Sequence, residues 1–186
     1  MNKQLYLALD FDGVLNSAKF IQDYLDQFQA PSDKTYYITE HIDPVAVSRV
    51  NQIVLIAGAK VVISTAWRKA FNLDSIRDIL ESKGFVGEIV GETPVLHCDR
   101  GLEVQAWMDY NGVTADQMVI LDDLDTMLHL RPRQVLTNFD TGLTDEHVTE
   151  ALYLFGINTS DYLHEFCEGC GQMNLHCSGL TEDCGQ

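Results

Sequence analysis

Two short apolar runs in the sequence each end in a pair of aspartates. The run LYLAL leads into Asp10 and Asp12, and the run MVIL leads into Asp122 and Asp123. Clustered carboxylates raise one another's pKa unless a cation neutralises them. Carboxylate oxygens with room for water and phosphate suit Mg²⁺. If the two runs are neighbouring strands, these four aspartates predict a magnesium site.

A third apolar run, KVVIS, adds hydroxyl groups to the same pattern. It ends in Ser64 and is followed by Thr65. In open parallel sheets, ligands bind outside the carboxyl ends of the strands, so all three runs would present polar side chains at one rim. Aspartate and glycine are also favoured in turns, and taken alone Asp10 to Gly13 fits a strand-ending turn. The second aspartate pair at another strand end favours the metal site.

Alternating apolar runs and helical patterns predict the scaffold for this rim. Strands are expected at residues 5–9, 60–64, 88–90, 118–121 and 134–136. Helices are expected after Asp43–Pro44, from about 73, at about 101–110 and after Thr144, with glycines near their ends. This rhythm is typical of an α/β fold with a Rossmann-like, doubly wound, mainly parallel sheet. We assign residues 1–160 to this domain.

The sequence resembles the haloacid dehalogenase (HAD) superfamily over roughly Leu5 to Gly156. The first family motif, an apolar strand followed by DxDG, is matched by residues 5–13. VVIST matches the second motif, with Thr65 preferred over Ser64, and VILDD matches the fourth. The basic residue of the third motif is assigned to Arg100, with Lys83 and Arg68 as alternatives. The strings VVISTAWR, ETPVLHCDRGLEVQAW, VILDDLDTM and TNFDTGLT are similar to small HAD phosphatase domains grouped with nucleic-acid repair proteins.

The resemblance implies a role for each matched residue. Asp10 would attack phosphorus and form an aspartyl-phosphate. Asp12 would protonate the leaving oxygen and then take a proton from the hydrolytic water. Thr65 would donate a hydrogen bond to the phosphoryl oxygens, and Arg100 would offset their charge.

The resemblance also implies the magnesium ligands and the reaction. Asp10, the backbone carbonyl of Asp12 and Asp122 would hold Mg²⁺, and Asp123 would help to orient the site. The expected activity is a Mg²⁺-dependent phosphatase acting on a phosphorylated nucleotide, a metabolite or a nucleic-acid end. A phosphotransferase or mutase is one alternative. The other is a non-catalytic HAD-like binding module whose cysteine-rich tail recruits a partner.

Residues 16–42 lie between the first strand and its helix and are polar and rich in aromatics. The segment is too short for the large cap domain of many HAD relatives, so we expect a small helical or hairpin lid, or no cap. A nearly uncovered site would admit bulky substrates, including nucleic-acid ends.

Residues 161–186 form a cysteine-rich tail without helical or strand periodicity. Its four cysteines and several glycines could wrap a tetrahedral Zn²⁺, through Cys167, Cys170, Cys177 and Cys184. The spacing of the second pair is wider than in common zinc sites, and a reduced, disordered tail is the alternative.

Charge and hydropathy limit the partners. The net charge of −16 repels a long phosphate backbone, so we expect a small phosphorylated substrate or a nucleic-acid end rather than broad nucleic-acid binding. The N-terminal apolar stretch is too short and too soon acidic for a signal peptide, and no run is long enough to span a bilayer. A cytoplasmic protein without membrane contact is therefore expected, with its five cysteines reduced or metal-bound.

Overall fold

A single parallel sheet organises the part of the chain that the computed structural model describes, residues 3–27, 39–96 and 99–158. The strands are β1 (Leu5–Leu9), β2 (Ala59–Ile63), β3 (Ile89–Glu92), β4 (Met118–Asp122) and β5 (Gln134–Leu136). Their spatial order is β3-β2-β1-β4-β5, and every neighbouring pair is parallel. The predicted α/β class with a Rossmann-like sheet is confirmed.

α-Helices that lie wholly within the described residues connect or follow these strands. They are α1 (Ala18–Gln27), α2 (Pro44–Ala57), α3 (Leu73–Ser82), α4 (Arg100–Asn111) and α5 (Asp145–Leu154). Short 3-10 helices occupy Ala66–Lys69, Ala115–Gln117 and Leu128–Arg133.

The ends of α2 illustrate how local sequence sets the element boundaries. The Asp43 carboxylate accepts a hydrogen bond of 2.8 Å from the Val45 backbone N–H, and Pro44 occupies the first turn. Gly58 ends the helix in the left-handed conformation, with φ of 60°. Both signals agree with the prediction from sequence, whereas β3 begins one residue later and ends two residues later than predicted.

The two faces of the sheet are covered unequally. On the first, here called the major face, strand residues such as Leu7 and Ile63 pack with apolar residues of α2, α3 and α5. On the second, the minor face, a smaller cluster joins Ala8, Val62 and Ile120 to α4. Because successive strand residues point to opposite faces, each central strand contributes to both clusters.

The strand register places the expected functional residues at one rim. Leu9 of β1 is level with Ile63 of β2 and with Leu121 of β4. The backbone N–H of Asp10 donates to the carbonyl of Leu121 at 3.0 Å, so the chains leave the sheet side by side. The first residues after β1 and β2 and the last residue of β4 therefore meet.

The insert and the tail are described only in part. Helix α1 accounts for residues 18–27 of the insert, and residues 28–38 lie outside the described residues. The tail with its four predicted zinc ligands also lies outside them, so the zinc site stays a prediction. None of the helices in the described residues combines the length and the apolar character that a membrane span requires.

Candidate active site

Three carboxylates converge at the rim between β1 and β4. Oxygens of Asp10, Asp122 and Asp123 all lie within 4.8 Å of one another. The side chains of Asp10 and Asp122 are almost fully buried, at 2% and 0% exposure. Buried carboxylates at this spacing require positive charge nearby, because both burial and mutual repulsion disfavour ionisation.

Arg100 supplies one positive charge to this cluster. Its Nη1 lies 3.0 Å from Oδ2 of Asp10 and 2.9 Å from Oδ2 of Asp122. The arginine is the first residue of α4, so the start of this helix must lie close to the loop after β4.

Gly101 permits that close approach of α4. A Cβ at Gly101 would lie 2.5 Å from the backbone oxygen of Met127. The backbone N–H of Gly101 donates a hydrogen bond of 3.2 Å to the Thr126 carbonyl. Any larger side chain would push the helix start, and with it Arg100, away from the aspartates.

Gly13 allows an equally close contact between the loops after β1 and β4. Its φ of +72° is in the left-handed region that favours glycine, and a Cβ would lie 2.5 Å from Oδ2 of Asp123. The glycine of the DxDG motif thus brings the loop that carries Asp12 against the second aspartate pair.

Thr65, rather than Ser64, contacts the proposed nucleophile. Thr65 is fully buried and begins the 3-10 helix Ala66–Lys69, with its hydroxyl accepting from the Trp67 backbone N–H at 3.3 Å. The same hydroxyl hydrogen-bonds the Asp10 side chain, which acts to lower the pKa of that carboxyl. The Ser64 hydroxyl is buried without a hydrogen-bond partner among the described residues.

The Asp12 side chain is not one of the three converging carboxylates, and two other side chains contact it. Its Oδ1 accepts a hydrogen bond of 2.8 Å from the Asn16 amide. The indole N–H of Trp67 lies 3.1 Å from Oδ2 and 3.3 Å from Oδ1. Sequence reasoning missed both partners. Asn16 was detectable as an amide four residues after Asp12, whereas nothing local pairs Trp67 with it.

The three candidates for the basic residue of the third motif lie in different surroundings. Arg68 forms a buried ion pair with Glu103 and donates to the backbone carbonyls of Ser64 and Thr65. Lys83 pairs with Glu40 at 3.0 Å. Among the three, Arg100 is the residue whose side chain contacts the site aspartates.

Burial dominates the electrostatics of the cluster. It raises the pKa of Asp10, although Arg100 partly offsets the effect. It also raises the pKa of Asp122 to about 7, with the charge of Asp10 as the second cause. Burial alone would lower the pKa of Arg100, but Asp10 and Asp122 outweigh it, so that pKa is raised.

The donor set fits Mg²⁺. Asp10, Asp122 and Asp123 offer hard oxygen atoms on one side of a rim that water can reach, since Asp123 is only half-buried. Arg100 contacts two of these three carboxylates, and a divalent cation would offset the negative charge that it leaves uncompensated.

A family model provides an independent comparison. The model described as the HAD domain in Swiss Army Knife RNA repair proteins matches residues 6–148 of the 186 in the chain. No curated protein matches the chain. The family match, together with the group of buried aspartates, supports a HAD-type hydrolase in general terms. The chain therefore belongs to the HAD superfamily, in the family of HAD domains found in Swiss Army Knife RNA repair proteins.

Proposed function

We propose that this protein is a Mg²⁺-dependent phosphatase that removes a terminal phosphate monoester from RNA through an aspartyl-phosphate intermediate. The observation that carries the proposal is the convergence of Asp10, Asp122 and Asp123 within 4.8 Å, with Arg100 on two of them. Phosphoryl transfer depends mainly on positioning and charge neutralisation, which this arrangement offers.

In the first step, a carboxylate oxygen of Asp10 attacks phosphorus and the bond from phosphorus to the ester oxygen breaks. Asp12 gives its proton to that oxygen, so the alcohol leaves neutral. The Thr65 hydroxyl and the Arg100 guanidinium lie beside Asp10 and are available to the non-bridging phosphoryl oxygens.

In the second step, water attacks phosphorus of the aspartyl-phosphate and Asp12 takes its proton. The bond between phosphorus and the Asp10 oxygen breaks, which releases inorganic phosphate and restores both carboxyl groups. Bound Mg²⁺, held by Asp10, Asp122, Asp123 and the Asp12 backbone carbonyl, would stabilise negative charge on the transferring phosphoryl group.

A cleft beside Arg100 supports a substrate with a sizeable leaving group. It has a volume of about 250 Å³ and lies between the 3-10 helix Ala66–Lys69, the start of α4 and the loop at residues 124–126. The side chain of Lys69 borders the cleft, exposed and with no ion pair within the described residues. The net charge of −16 disfavours a long polyanion track, so a chain end is the form of RNA that fits.

The test is a phosphate-release assay with wild-type protein and Asp10→Asn. The panel contains RNA oligonucleotides phosphorylated at either end, free nucleotides and sugar phosphates, each with Mg²⁺ or with a chelator. We expect Mg²⁺-dependent release that is fastest from an RNA end. Because Asp10→Asn removes the nucleophile, its rate should fall by at least about 10³-fold with an unchanged circular dichroism spectrum.

The other outcomes have distinct meanings. A folded wild-type protein that releases no phosphate from any substrate would indicate the non-catalytic binding module. Phosphate that appears on an added alcohol instead of in solution would indicate a phosphotransferase. Hydrolysis by Asp10→Asn at the wild-type rate would refute the nucleophile assignment.

A further inference from the structure

The Asp12 carboxylate is held by two side chains from different parts of the chain. Asn16, which like Asp12 follows β1, donates from its side-chain amide to Oδ1 at 2.8 Å. Trp67, which follows β2, lies with its indole nitrogen 3.1 Å from Oδ2 and 3.3 Å from Oδ1. An amide on one oxygen leaves the carboxylate free to turn about that contact. A donor shared between both oxygens also fixes the plane of the carboxylate.

The Trp67 ring is itself restrained. It packs edge-on against Phe11, with ring centroids 5.3 Å apart, and lies tilted against Phe71 at 5.8 Å. Its backbone N–H donates to the Thr65 hydroxyl at 3.3 Å. One residue thereby contacts both the hydroxyl beside Asp10 and the carboxylate of Asp12, and packing limits the directions in which its indole N–H can point.

We propose that Trp67 is a positioning residue for the acid–base steps, whose indole N–H holds the Asp12 carboxylate in the orientation that meets the leaving oxygen and the hydrolytic water. This inference rests on the proposed phosphatase function. Proton transfer by a side chain depends on its geometry within a fraction of an ångström, and Asp12 is only half-buried, so packing alone does not fix it.

The first test detects the contact between Trp67 and Asp12 by NMR and does not depend on enzyme activity. The chain contains two tryptophans, so a ¹H–¹⁵N spectrum of the full-length protein should show two indole N–H signals, and Trp67→Phe assigns them. We expect Asp12→Ala to shift the Trp67 signal and to leave the Trp107 signal in place. A Trp67 signal that does not respond to loss of the Asp12 carboxylate would overturn the inference.

The second test compares leaving groups. Trp67→Phe keeps an aromatic ring beside Phe11 and Phe71, and the indole N–H is lost together with the five-membered ring. For a phosphorylated RNA end, whose alkoxide must be protonated, we expect kcat/KM to fall about tenfold, a part of the roughly 10² to 10⁴ that acid–base help provides. For p-nitrophenyl phosphate, whose leaving anion needs no proton, kcat/KM should change by less than about threefold.

Trp107→Phe is the matched control. This tryptophan packs against Tyr6, with ring centroids 5.4 Å apart, in the cluster of the minor face. Its replacement should leave the ratio of the two kcat/KM values unchanged. An equal loss on both substrates in Trp67→Phe, or no loss on either, would overturn the role of Trp67 while leaving the phosphatase proposal intact. Failure of the wild-type protein on both substrates would overturn the phosphatase proposal.

Discussion

The major and minor faces of the sheet are built by different forces. The major face joins three helices to the sheet through a large apolar cluster that includes Ile53 of α2 and Leu152 of α5. The minor face has fewer apolar residues, and its helix α4 also depends on a buried ion pair between Arg68 and Glu103. The hydrophobic effect is non-directional, whereas ionic and hydrogen-bonded contacts require defined geometry.

The helix that needs exact placement is the one held by polar contacts. Arg100, at the start of α4, contacts the site aspartates, and Glu103 lies one turn further along the same helix. Glu103 accepts from the Leu96 backbone N–H at 2.9 Å and from Arg68, which in turn donates to the Thr65 carbonyl. Both faces therefore contribute to stability, whereas the geometry of the site depends chiefly on the network around Glu103.

The largest effect is expected when that network is broken. Glu103→Gln keeps the shape of the side chain but leaves the buried charge of Arg68 without its partner. Removal of one member of a buried pair costs about 3–5 kcal/mol of unfolding free energy. Since the start of α4 also loses its anchor, kcat/KM should fall by up to about 10²-fold in the fraction that remains folded.

Denaturant unfolding and kinetics on the same samples measure both effects. Glu150→Gln, an exposed position on α5, is the control and should stay within about 0.5 kcal/mol of wild type. If Glu103→Gln were destabilised but fully active, the network would contribute stability without setting the site geometry.

A core substitution on the major face should lower stability and leave activity almost unchanged. Ile53 is fully buried, and Ile53→Ala should cost about 2–5 kcal/mol through lost apolar contact and the cavity left behind. At a temperature where the variant is folded, kcat/KM should remain within about twofold of wild type, because no contact to the rim is lost. Leu55→Ala on the exposed side of the same helix is the control for helix propensity. A large loss of activity in folded Ile53→Ala would remove the distinction between the faces.

The same contrast explains what sequence could predict. The central strands and their rim could be predicted from the sequence, because continuous apolar runs indicate buried strands and the carboxyl ends of parallel strands lie at the same edge of a sheet. The predicted bounds of β5 were therefore right, and the aspartates at 10 and 122 were correctly expected to meet. Such signals are local in the chain or follow from one topological rule.

The polar contacts of the minor face follow no such rule. The third motif was assigned to Arg100 with Lys83 and Arg68 as alternatives, and the sequence around these residues does not show which of them contacts the aspartates. The choice depends on Glu103, which pairs with Arg68 across 35 residues, and on the close approach that Gly101 permits. The contact between Trp67 and Asp12 spans 55 residues and is equally invisible without the fold.

The smallest expected effect is a change in Tm when Asp123, a partly buried carboxylate of the site, is replaced. Burial raises the pKa of Asp123, and the charge of Asp12 acts in the same direction. An acid whose pKa is raised by folding binds its proton more tightly in the folded state. The folded state therefore loses stability as the pH rises above the pKa of about 4 that the carboxyl group has in the unfolded chain. Asp123→Asn removes this penalty. In metal-free buffer at pH 8 its Tm should exceed that of wild type by no more than about 3 °C, because solvent screens the partly exposed side chain.

Magnesium should reverse the order of the Tm values of wild type and Asp123→Asn. A ligand that binds only the folded state stabilises it in proportion to the logarithm of its concentration, and wild type keeps all three carboxylates while Asp123→Asn has lost one. Thermal melts across a Mg²⁺ titration should therefore cross, with wild type becoming the more stable protein. Asp78→Asn, at an exposed position on α3, should follow wild type throughout. Parallel curves for wild type and Asp123→Asn would exclude Asp123 from the metal site, and the acidic rim would then be a stability cost without that compensation.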